Sequence, residues 1–215
     1  MIERQRSSEK KTSLRERKKE KTRQALESAA LVLFGEKGFD GTTVDEIAEA
    51  CDVSQRTFFR YYSTKEDVLF ADGDERLEAV LAEIAARPAE EQPIRTVKAA
   101  FLTLVEEYAH DRERLILRSK IFDGSSGLRS HKFEQQQNWE AEITAALVAR
   151  DVRAERATPT LRLRVVAGAS MACIRAALQE WIEEDGELST MVNDGFDDLA
   201  EGLSVHDVER VPLPS

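Results

Sequence analysis

The sequence predicts an all-α protein: a three-helix helix-turn-helix domain of the homeodomain-like type at the N-terminus, then a larger helical domain, with about nine helices in total. Apolar residues recur at intervals of three and four along most of the chain, as they do on a helix with one buried face. Hydrophobic residues make up 41% of the 215 residues and charged ones 33%, with only 10 glycines and 5 prolines. This composition is typical of a soluble globular protein rich in helix formers.

The first predicted helix runs from about residue 18 to Lys37, and Gly38 ends it. Its apolar face carries Leu26, Ala29, Ala30, Leu33 and Phe34. Residues 1–17 precede it as a basic segment without an apolar period, and we expect a flexible arm. This arm is either simply solvated, or its Lys and Arg side chains reach phosphates or a minor groove beside the main contact; the two interpretations are compatible.

A short helix, a tight turn and a second short helix fill residues 42–65. Thr43 and Glu46 have capping-box spacing at the start of the first of these helices. Its apolar face is formed by Val44, Ile47, Ala48 and Cys51. Asp52 then supplies the turn, because its short polar side chain tolerates the left-handed backbone that such junctions often need. Ser54 caps the second short helix.

The second short helix, predicted to be about two turns long, presents polar side chains outward. Phe58 and Tyr62 lie four residues apart and close the core. The opposite face carries Gln55, Arg56, Phe59 and Arg60. In a major groove an arginine reads guanine and a glutamine reads adenine through paired hydrogen bonds, so this face suits DNA. The alternative is an ordinary helical bundle whose Arg and Lys side chains are merely solvated.

Two places beside this helix pair suit phosphate groups. Thr42 and Thr43 precede the first short helix, where hydroxyls and unpaired N–H groups can hold a phosphate. After the second short helix, Ser63 and Glu66 have capping-box spacing and open another helix with Lys65 in its first turn. A positive side chain beside free backbone N–H groups again suits a phosphate.

The distribution of charge favours a nucleic-acid partner, although the chain as a whole carries a formal charge of −10. Residues 1–23 hold 10 basic and 4 acidic residues, and residues 1–70 have a net charge of +1. Residues 71–215 account for the remaining −11. A duplex repels an acidic body, so docking through the N-terminal end is favoured.

The remaining helices are predicted from apolar stripes and from the residues that break them. Their predicted ranges are 64–86, 94–108, 115–122, 128–150, 159–184 and 189–203. Gly73 inside the first of them marks a bend, and Pro88 follows its end. A loop is expected over residues 123–127. Thr158 caps the helix that Pro159 opens.

Part of this pattern resembles a known family. The residues that carry the resemblance are Leu33, Phe34, Gly38, Phe39, Thr42, Thr43, Val44, Ile47, Ala48, Val53, Ser54 and residues 57–62 and 65–68. Over residues 18–70 the chain resembles the N-terminal DNA-binding domain of the tetracycline-repressor (TetR) family. The resemblance implies a dimeric all-helical repressor that binds a near-palindromic operator in double-stranded DNA. It divides the chain into a DNA-binding domain over 18–65 and a ligand-binding and dimerisation domain over 66–203. Residues 204–215, which include Pro212 and Pro214, are expected to form a flexible tail.

Carried over position by position, the resemblance assigns DNA contacts to seven residues. Those that would face the groove are Gln55, Arg56, Thr57 and Arg60. Those that would touch phosphates are Thr43, Tyr61 and Lys65. Two positions depart from the family pattern. Phe59 stands where the family often has Tyr, so a hydroxyl contact to phosphate is missing there, and Asp52 stands where Gly or Ala is usual, which bears on the turn geometry.

The larger domain offers aromatic residues for a mostly apolar ligand pocket. The candidate ligand-binding residues are Phe101, Tyr108, Phe122, Phe133, Trp139 and Arg175. The aromatic residues either line such a pocket or simply fill the core. Arg175 stands among apolar neighbours, where a charge is costly unless paired. It either anchors an acidic group of an effector, pairs with an acid such as Glu142, or reaches solvent; the resemblance itself points to a hydrophobic, acyl-type effector.

The predicted helix over 159–184 has apolar residues on two faces, and the last predicted helix, over 189–203, has one apolar stripe. Burial on two faces fits an element shared between a domain core and a subunit interface. Two such helices from each subunit would form the four-helix dimer seam that the resemblance implies.

The sequence offers no pattern for an enzyme, a cofactor site or a metal site. The three histidines, His110, His131 and His206, are isolated from one another and from clusters with metal-ligand spacing. Cys51 and Cys173 are expected to be buried thiols in a reducing compartment. No stretch approaches the roughly 20 apolar residues of a membrane span, and no signal peptide is evident. We expect a cytoplasmic protein with no membrane partner.

The predicted function is that of a ligand-responsive, DNA-binding transcriptional regulator, most simply a repressor that a small hydrophobic effector releases. Two alternatives stay open. The chain could be a helical ligand-binding or interaction protein whose DNA-binding module is vestigial. It could also be an architectural DNA binder without an effector, which would bind all sequences with uniform affinity.

Overall fold

A computed structural model describes residues 14–108 and 112–204. Every regular element within these ranges is an α-helix, which confirms the all-α prediction. The helices are α1 (Leu14–Lys37), α2 (Val44–Ala50), α3 (Gln55–Phe58), α4 (Asp67–Phe70), α5 (Gly73–Ala86), α6 (Pro93–Tyr108), α7 (Arg112–Gly124), α8 (Ser126–Arg153), α9 (Thr160–Glu183) and α10 (Leu188–Ser204). The basic residues before Leu14 and the tail after Ser204 lie outside the described residues.

The chain forms two compact units, each with its own core. The first unit extends to Ala71 and also contains Leu117–Leu128, while the second contains Asp72–Ile116 and the residues from Arg129 onward. The first unit thus extends past the predicted domain boundary at residue 65. Residues of α4 are buried in the first core, and so is a segment from the middle of the chain, which no local pattern could have indicated.

The core of the first unit is built on one face of α1. Its fully buried members include Leu26, Ala30, Ile47, Phe58 and Leu69. Helix α1 ends at Lys37 as predicted, and Gly38 follows with a positive φ of 78°. The helix begins at Leu14, however, so residues 14–17 are helical and are not part of a flexible arm.

The predicted helix over residues 64–86 is divided into α4 and α5, with Ala71 and Asp72 between them. The division lies next to Gly73, where a bend was expected. The predicted capping box of Ser63 and Glu66 is wrong, because Glu66 makes no side-chain cap. The Asp67 carboxylate instead accepts hydrogen bonds from the backbone N–H groups of Ser63 and Thr64, both at 2.9 Å.

The second unit packs α5, α6, α8, α9 and α10 around one apolar core. Its fully buried members include Ile84, Val97, Ile143, Ala167, Val192 and Phe196. Helix α6 begins at Pro93, and α5 ends before Pro88, as the sequence indicated. Helix α9 also starts at the predicted place, but its N-cap is Pro159 without a side-chain cap. The predicted cap by Thr158 is therefore not formed.

The predicted loop over residues 123–127 is almost absent. Helix α7 continues through Gly124 and α8 begins at Ser126, so Ser125 alone separates them. Ser125 is buried, and its N–H donates to the Phe122 carbonyl. The Gly and Ser residues that indicated a loop are absorbed into two helices because their neighbours Phe122 and Leu128 are buried in the first core.

The two cysteines are free thiols, as predicted. Both are only partly buried, whereas full burial was expected. Burial nevertheless raises the pKa of both Cys51 and Cys173. Across the described part of the chain, no group of three His, Cys, Asp or Glu residues could hold a metal ion. None of the described helices is both long and apolar enough to cross a membrane.

Candidate nucleic-acid interface

The start of α2 is fixed by the predicted capping box. The Glu46 carboxylate accepts a hydrogen bond from the Thr43 N–H at 2.8 Å, and the Thr43 hydroxyl accepts one from the Glu46 N–H at 3.3 Å. Lys37 at the end of α1 donates to the same carboxylate at 2.7 Å. This lysine, together with the N–H and hydroxyl of Thr43, lowers the pKa of Glu46 to about 2. A carboxylate that is ionised at neutral pH therefore ties the end of α1 to the first turn of α2.

The turn between α2 and α3 has the predicted geometry. Asp52 adopts a positive φ of 53°, the left-handed conformation expected of it. Its N–H donates to the Glu49 carbonyl, and the Val53 N–H donates to the Ala48 carbonyl, both at 3.0 Å. The carbonyls at the end of α2 are therefore satisfied within the turn. The departure from the family's Gly or Ala leaves the turn intact.

Helix α3 is capped as predicted but is shorter than two turns. The Ser54 hydroxyl accepts a hydrogen bond from the Thr57 N–H at 3.1 Å. The α-helix ends at Phe58, and the chain continues in tight turns to Tyr62, whose N–H donates to the Phe58 carbonyl at 3.1 Å. The segment therefore consists of one α-helical turn followed by hydrogen-bonded turns that continue to Tyr62.

The side chains of this segment divide between core and solvent. Phe58 and Tyr62 are buried, as predicted. The exposed side chains are Gln55, Arg56, Phe59 and Arg60. Thr57 and Tyr61 are half-buried; the Thr57 hydroxyl lies 3.0 Å from that of Ser54, and the Arg60 guanidinium lies 5.2 Å from the centroid of the Tyr61 ring. The structure therefore brings two guanidiniums, an amide and a phenyl ring together on one exposed surface, which we call the recognition face: Gln55, Arg56, Phe59 and Arg60.

A buried glutamate that the sequence did not single out holds this segment against α1. Glu27 is only 3% exposed, and its carboxylate accepts hydrogen bonds from the Tyr62 hydroxyl at 2.7 Å and from Arg23 at 2.8 Å. Arg23 also donates to Glu20, and this contact is the main cause of its raised pKa. In the sequence, only the i, i+4 spacing of Arg23 and Glu27 could have indicated that Glu27 is paired. Its other partner, Tyr62, is 35 residues away.

Lys65 lies beside the turn that precedes α2. Its ammonium donates to the carbonyls of Phe39 at 2.7 Å and Thr42 at 2.9 Å, and it lies 4.4 Å from the centroid of the Phe39 ring. Two of its three N–H groups are thus used within the protein. Thr42 itself is buried, and its hydroxyl donates to the Gly38 and Leu33 carbonyls, so the expectation that this hydroxyl holds a phosphate is wrong.

The candidate ligand residues do not come together as one group. Phe101 is buried in the second unit and stacks on the partly buried Trp139, with centroids 6.3 Å apart. Phe122 lies in the first core, where it packs on Phe70 at 5.1 Å. Phe133 is exposed. Tyr108 is the last residue of α6, and its side chain lies outside the described part of the structure.

Arg175 is exposed on α9, so the argument that a buried charge needs a partner does not apply to it in the single chain. It belongs to a side of α9 that faces solvent. The exposed apolar residues on this side are Leu161, Val165, Ala172 and Ala176, which we call the α9 stripe. The opposite side of α9 is buried in the second core through residues such as Val166 and Ile174.

A buried charge of the second unit that the sequence did not indicate is Arg150, near the end of α8, and the adjacent Asp151 is buried as well. Arg150 is the more deeply buried of the two. Its guanidinium donates to the carbonyls of Pro88 and, at 2.9 Å, Glu91. Burial lowers its pKa. The neighbouring Asp151 is bound by Arg156 at 2.5 Å. These contacts hold the end of α8 against the connection between α5 and α6, which is a structural role.

Comparison with known proteins gives two family matches. Residues 26–71 match the family model described as bacterial regulatory proteins, tetR family. Residues 91–204 match the model described as the MftR C-terminal domain. The second match alone covers more than half of the 215 residues.

Individual relatives agree with these matches. The HTH-type transcriptional regulator TcmR of Streptomyces glaucescens is 32% identical over 144 residues, which are 64% of either chain. The regulator MftR of Mycobacterium tuberculosis is 26% identical over 192 residues, 87% of this chain and 93% of MftR. The crystal structure of FadR from Thermus thermophilus, in complex with lauroyl-CoA, has the same fold with a TM-score of 0.57. That match has 24% identity and covers 90% of this chain and 99% of FadR.

Proposed function

Because the chain belongs to the tetR family of bacterial regulatory proteins, we propose that it is a cytoplasmic repressor that binds a near-palindromic operator as a homodimer and is released by a small hydrophobic effector. The observation that carries this proposal is the recognition face. Its side chains are exposed on a segment that a capped helix, a left-handed turn and a buried Tyr62–Glu27 hydrogen bond hold in place. The proposal includes no catalytic step and no cofactor.

The recognition face supplies the base contacts. Arg56 and Arg60 each offer a planar fork of donors for guanine, and Gln55 pairs with adenine. Thr57 lies nearer the core and contributes its hydroxyl at the edge of the groove. The phosphate contacts are assigned to Thr43, Tyr61 and Lys65, the last through its one remaining N–H group.

The α9 stripe supplies the dimer interface, together with α10. The other side of α9 is already buried in the second core, so the exposed stripe can be buried only against another molecule. In a two-fold dimer it would pack against the same stripe of the partner subunit. Its alanines permit close approach of the two helices. Arg175 then lies beside the seam, where it can pair with an acid of the partner subunit or reach solvent. The two recognition faces of such a dimer contact successive major grooves.

The effector site belongs to the second unit, around Phe101 and Trp139. The proposed ligand is an apolar chain of the acyl type, which fits a site lined by aromatic rings. Support comes from the shared fold of FadR, which was crystallised with lauroyl-CoA. Phe122 is left out of this site because it lies in the first core. The effector releases DNA if it binds the non-operator conformation more tightly by about 1–3 kcal/mol.

The proposal is tested by selecting duplexes from a random pool with the full-length protein and measuring affinity by fluorescence anisotropy. We expect a near-palindromic sequence bound at least about 1000-fold more tightly than a scrambled duplex. Acyl-CoA esters of increasing chain length are then added. The repressor function predicts that a long-chain ester weakens operator binding while free CoA does not. Uniform affinity across all duplexes would contradict it.

A further inference from the structure

Phe59 has an unusual position for an exposed phenylalanine. The residue is 51% exposed, whereas four other phenylalanines of the first unit are buried, namely Phe34, Phe39, Phe58 and Phe122, and Phe70 is half-buried. Exposure alone decides nothing, because Val32 on α1 is 52% exposed and single exposed apolar residues are common. What distinguishes Phe59 is that it stands among Gln55, Arg56 and Arg60, with no other apolar side chain on that face.

The ring of Phe59 is held in a defined orientation. The Phe59 N–H donates to the Gln55 carbonyl at 3.0 Å, so the residue remains in helical register although α3 ends before it. Its side chain therefore lies one turn from Gln55 and beside Arg56. The ring meets that of Phe58 edge-on, with centroids 5.6 Å apart and planes at 88°. Phe58 is fully buried, so the exposed ring rests on a rigid support.

The chemistry of a phenyl ring limits what it can recognise on DNA. It has no donor or acceptor for a phosphate, an amine or a carbonyl group. The one apolar group that a base pair displays in the major groove is the 5-methyl group of thymine, and the other bases present donors and acceptors there. Against any of the other bases, the ring would leave the base's donors and acceptors unsatisfied. It would gain apolar contact only against a thymine.

We propose that Phe59 is a specificity-determining residue that packs against the 5-methyl group of one thymine in each operator half-site. The inference rests on the proposed function, because it needs the recognition face to enter a major groove. It adds a base preference that hydrogen bonding from Gln55, Arg56 and Arg60 does not supply. Burial of one methyl group corresponds to about a fourfold change in affinity.

The test removes only the methyl group. Each thymine of the selected operator is replaced in turn by deoxyuridine, in both half-sites at once, and the Kd is measured for the wild-type protein. Two symmetric contacts predict a loss of about tenfold or more at one position and no loss at the others. The same series is measured with Phe59→Ala, for which the loss at that position disappears, and with Phe59→Tyr, which keeps the ring and keeps the loss.

Val32→Ala is the matched control, since it removes an equally exposed apolar side chain from α1, and it retains the wild-type methyl dependence. Thermal unfolding of each variant shows whether it is folded. If Phe59→Ala is not folded, the deoxyuridine series with Phe59→Tyr still tests the proposal. The proposal is overturned if the wild-type protein binds every deoxyuridine operator equally well, or if Phe59→Ala keeps the wild-type loss. In both cases preference for the operator over a scrambled duplex persists; loss of that preference would instead overturn the proposed function itself.

Discussion

Glu27 shows how a single buried residue supports the recognition face. Its carboxylate accepts hydrogen bonds from Tyr62 at the end of the recognition segment and from Arg23 on α1. A buried carboxylate costs free energy unless it is paired and hydrogen-bonded, and here both conditions are met. The contact spans 35 residues of sequence, so it fixes the segment against α1 in a way that local helix capping cannot.

Glu27→Gln should lower the free energy of unfolding by about 1–2 kcal/mol, because it removes the charge that Arg23 pairs with while leaving an oxygen for Tyr62. Urea unfolding followed by circular dichroism measures the change. Glu20→Gln is the control, since Glu20 is a more exposed partner of the same arginine and should matter by less than about 0.5 kcal/mol. Equal effects of the two substitutions would refute the role given to Glu27.

Glu46 predicts a pH dependence of stability. Its pKa is lowered from 4.5 to about 2 in the folded protein, first by Lys37 and then by Thr43. The unfolded chain therefore binds more protons between these values, so the stability present above pH 4.5 is lost as the pH falls toward 2. Glu46→Gln should flatten the pH profile of unfolding in this window. Glu49→Gln, on the exposed side of α2, should leave the wild-type slope in place.

Among the single elements, the turn between α2 and α3 contains Asp52. It holds a left-handed backbone, which glycine adopts without steric cost. Asp52→Gly should therefore be neutral or stabilise the protein by up to about 1 kcal/mol, whereas Asp52→Val should destabilise it by about 1–2 kcal/mol. Thermal unfolding tests both. Glu155 has the same φ of 53°, so Glu155→Gly and Glu155→Val give a matched pair of variants outside the first unit. If the Asp52→Gly and Asp52→Val proteins unfold at the same temperature, the left-handed backbone at Asp52 does not constrain the turn.

The elements that the sequence predicted well are those fixed by neighbouring residues. The caps by Thr43 and Ser54, the turn at Asp52 and the end of α1 at Gly38 all depend on hydrogen bonds or backbone angles within a few residues. The missing loop before α8 depends instead on burial in a core, because Phe122 and Leu128 on either side of it are buried there. Local residue types cannot report such burial.

The candidate sites divide in the same way. The recognition face follows from helical spacing around Phe58, and the structure exposes the side chains expected to be outside. The ligand residues were chosen only as aromatic residues in apolar stripes. Whether such a residue belongs to the first or the second core depends on how distant helices pack, and Phe122 is in a different core from Phe101 for that reason.

For the whole molecule, the proposed dimer would link two recognition faces so that both bind one operator. The α9 stripe is exposed in the single chain, and two linked recognition faces bind one operator far more tightly than one. Val165→Glu should dissociate the dimer, because it places two like charges in an apolar seam, and should weaken operator binding by about 100-fold. Light scattering and anisotropy measure the two effects. Val152→Glu on α8, at an exposed valine outside the stripe, should change neither; a Val165→Glu protein that remained dimeric would exclude the stripe as the seam.

The recognition face is proposed to read base sequence. This is tested by the ratio of scrambled-duplex Kd to operator Kd for Arg56→Ala, with Arg95→Ala on the exposed surface of α6 as the control. Loss of a paired contact to guanine predicts that this ratio falls by about tenfold or more for Arg56→Ala. The control should keep the wild-type ratio. If Arg56→Ala kept it as well, and weakened both duplexes equally or neither, the claim would be contradicted.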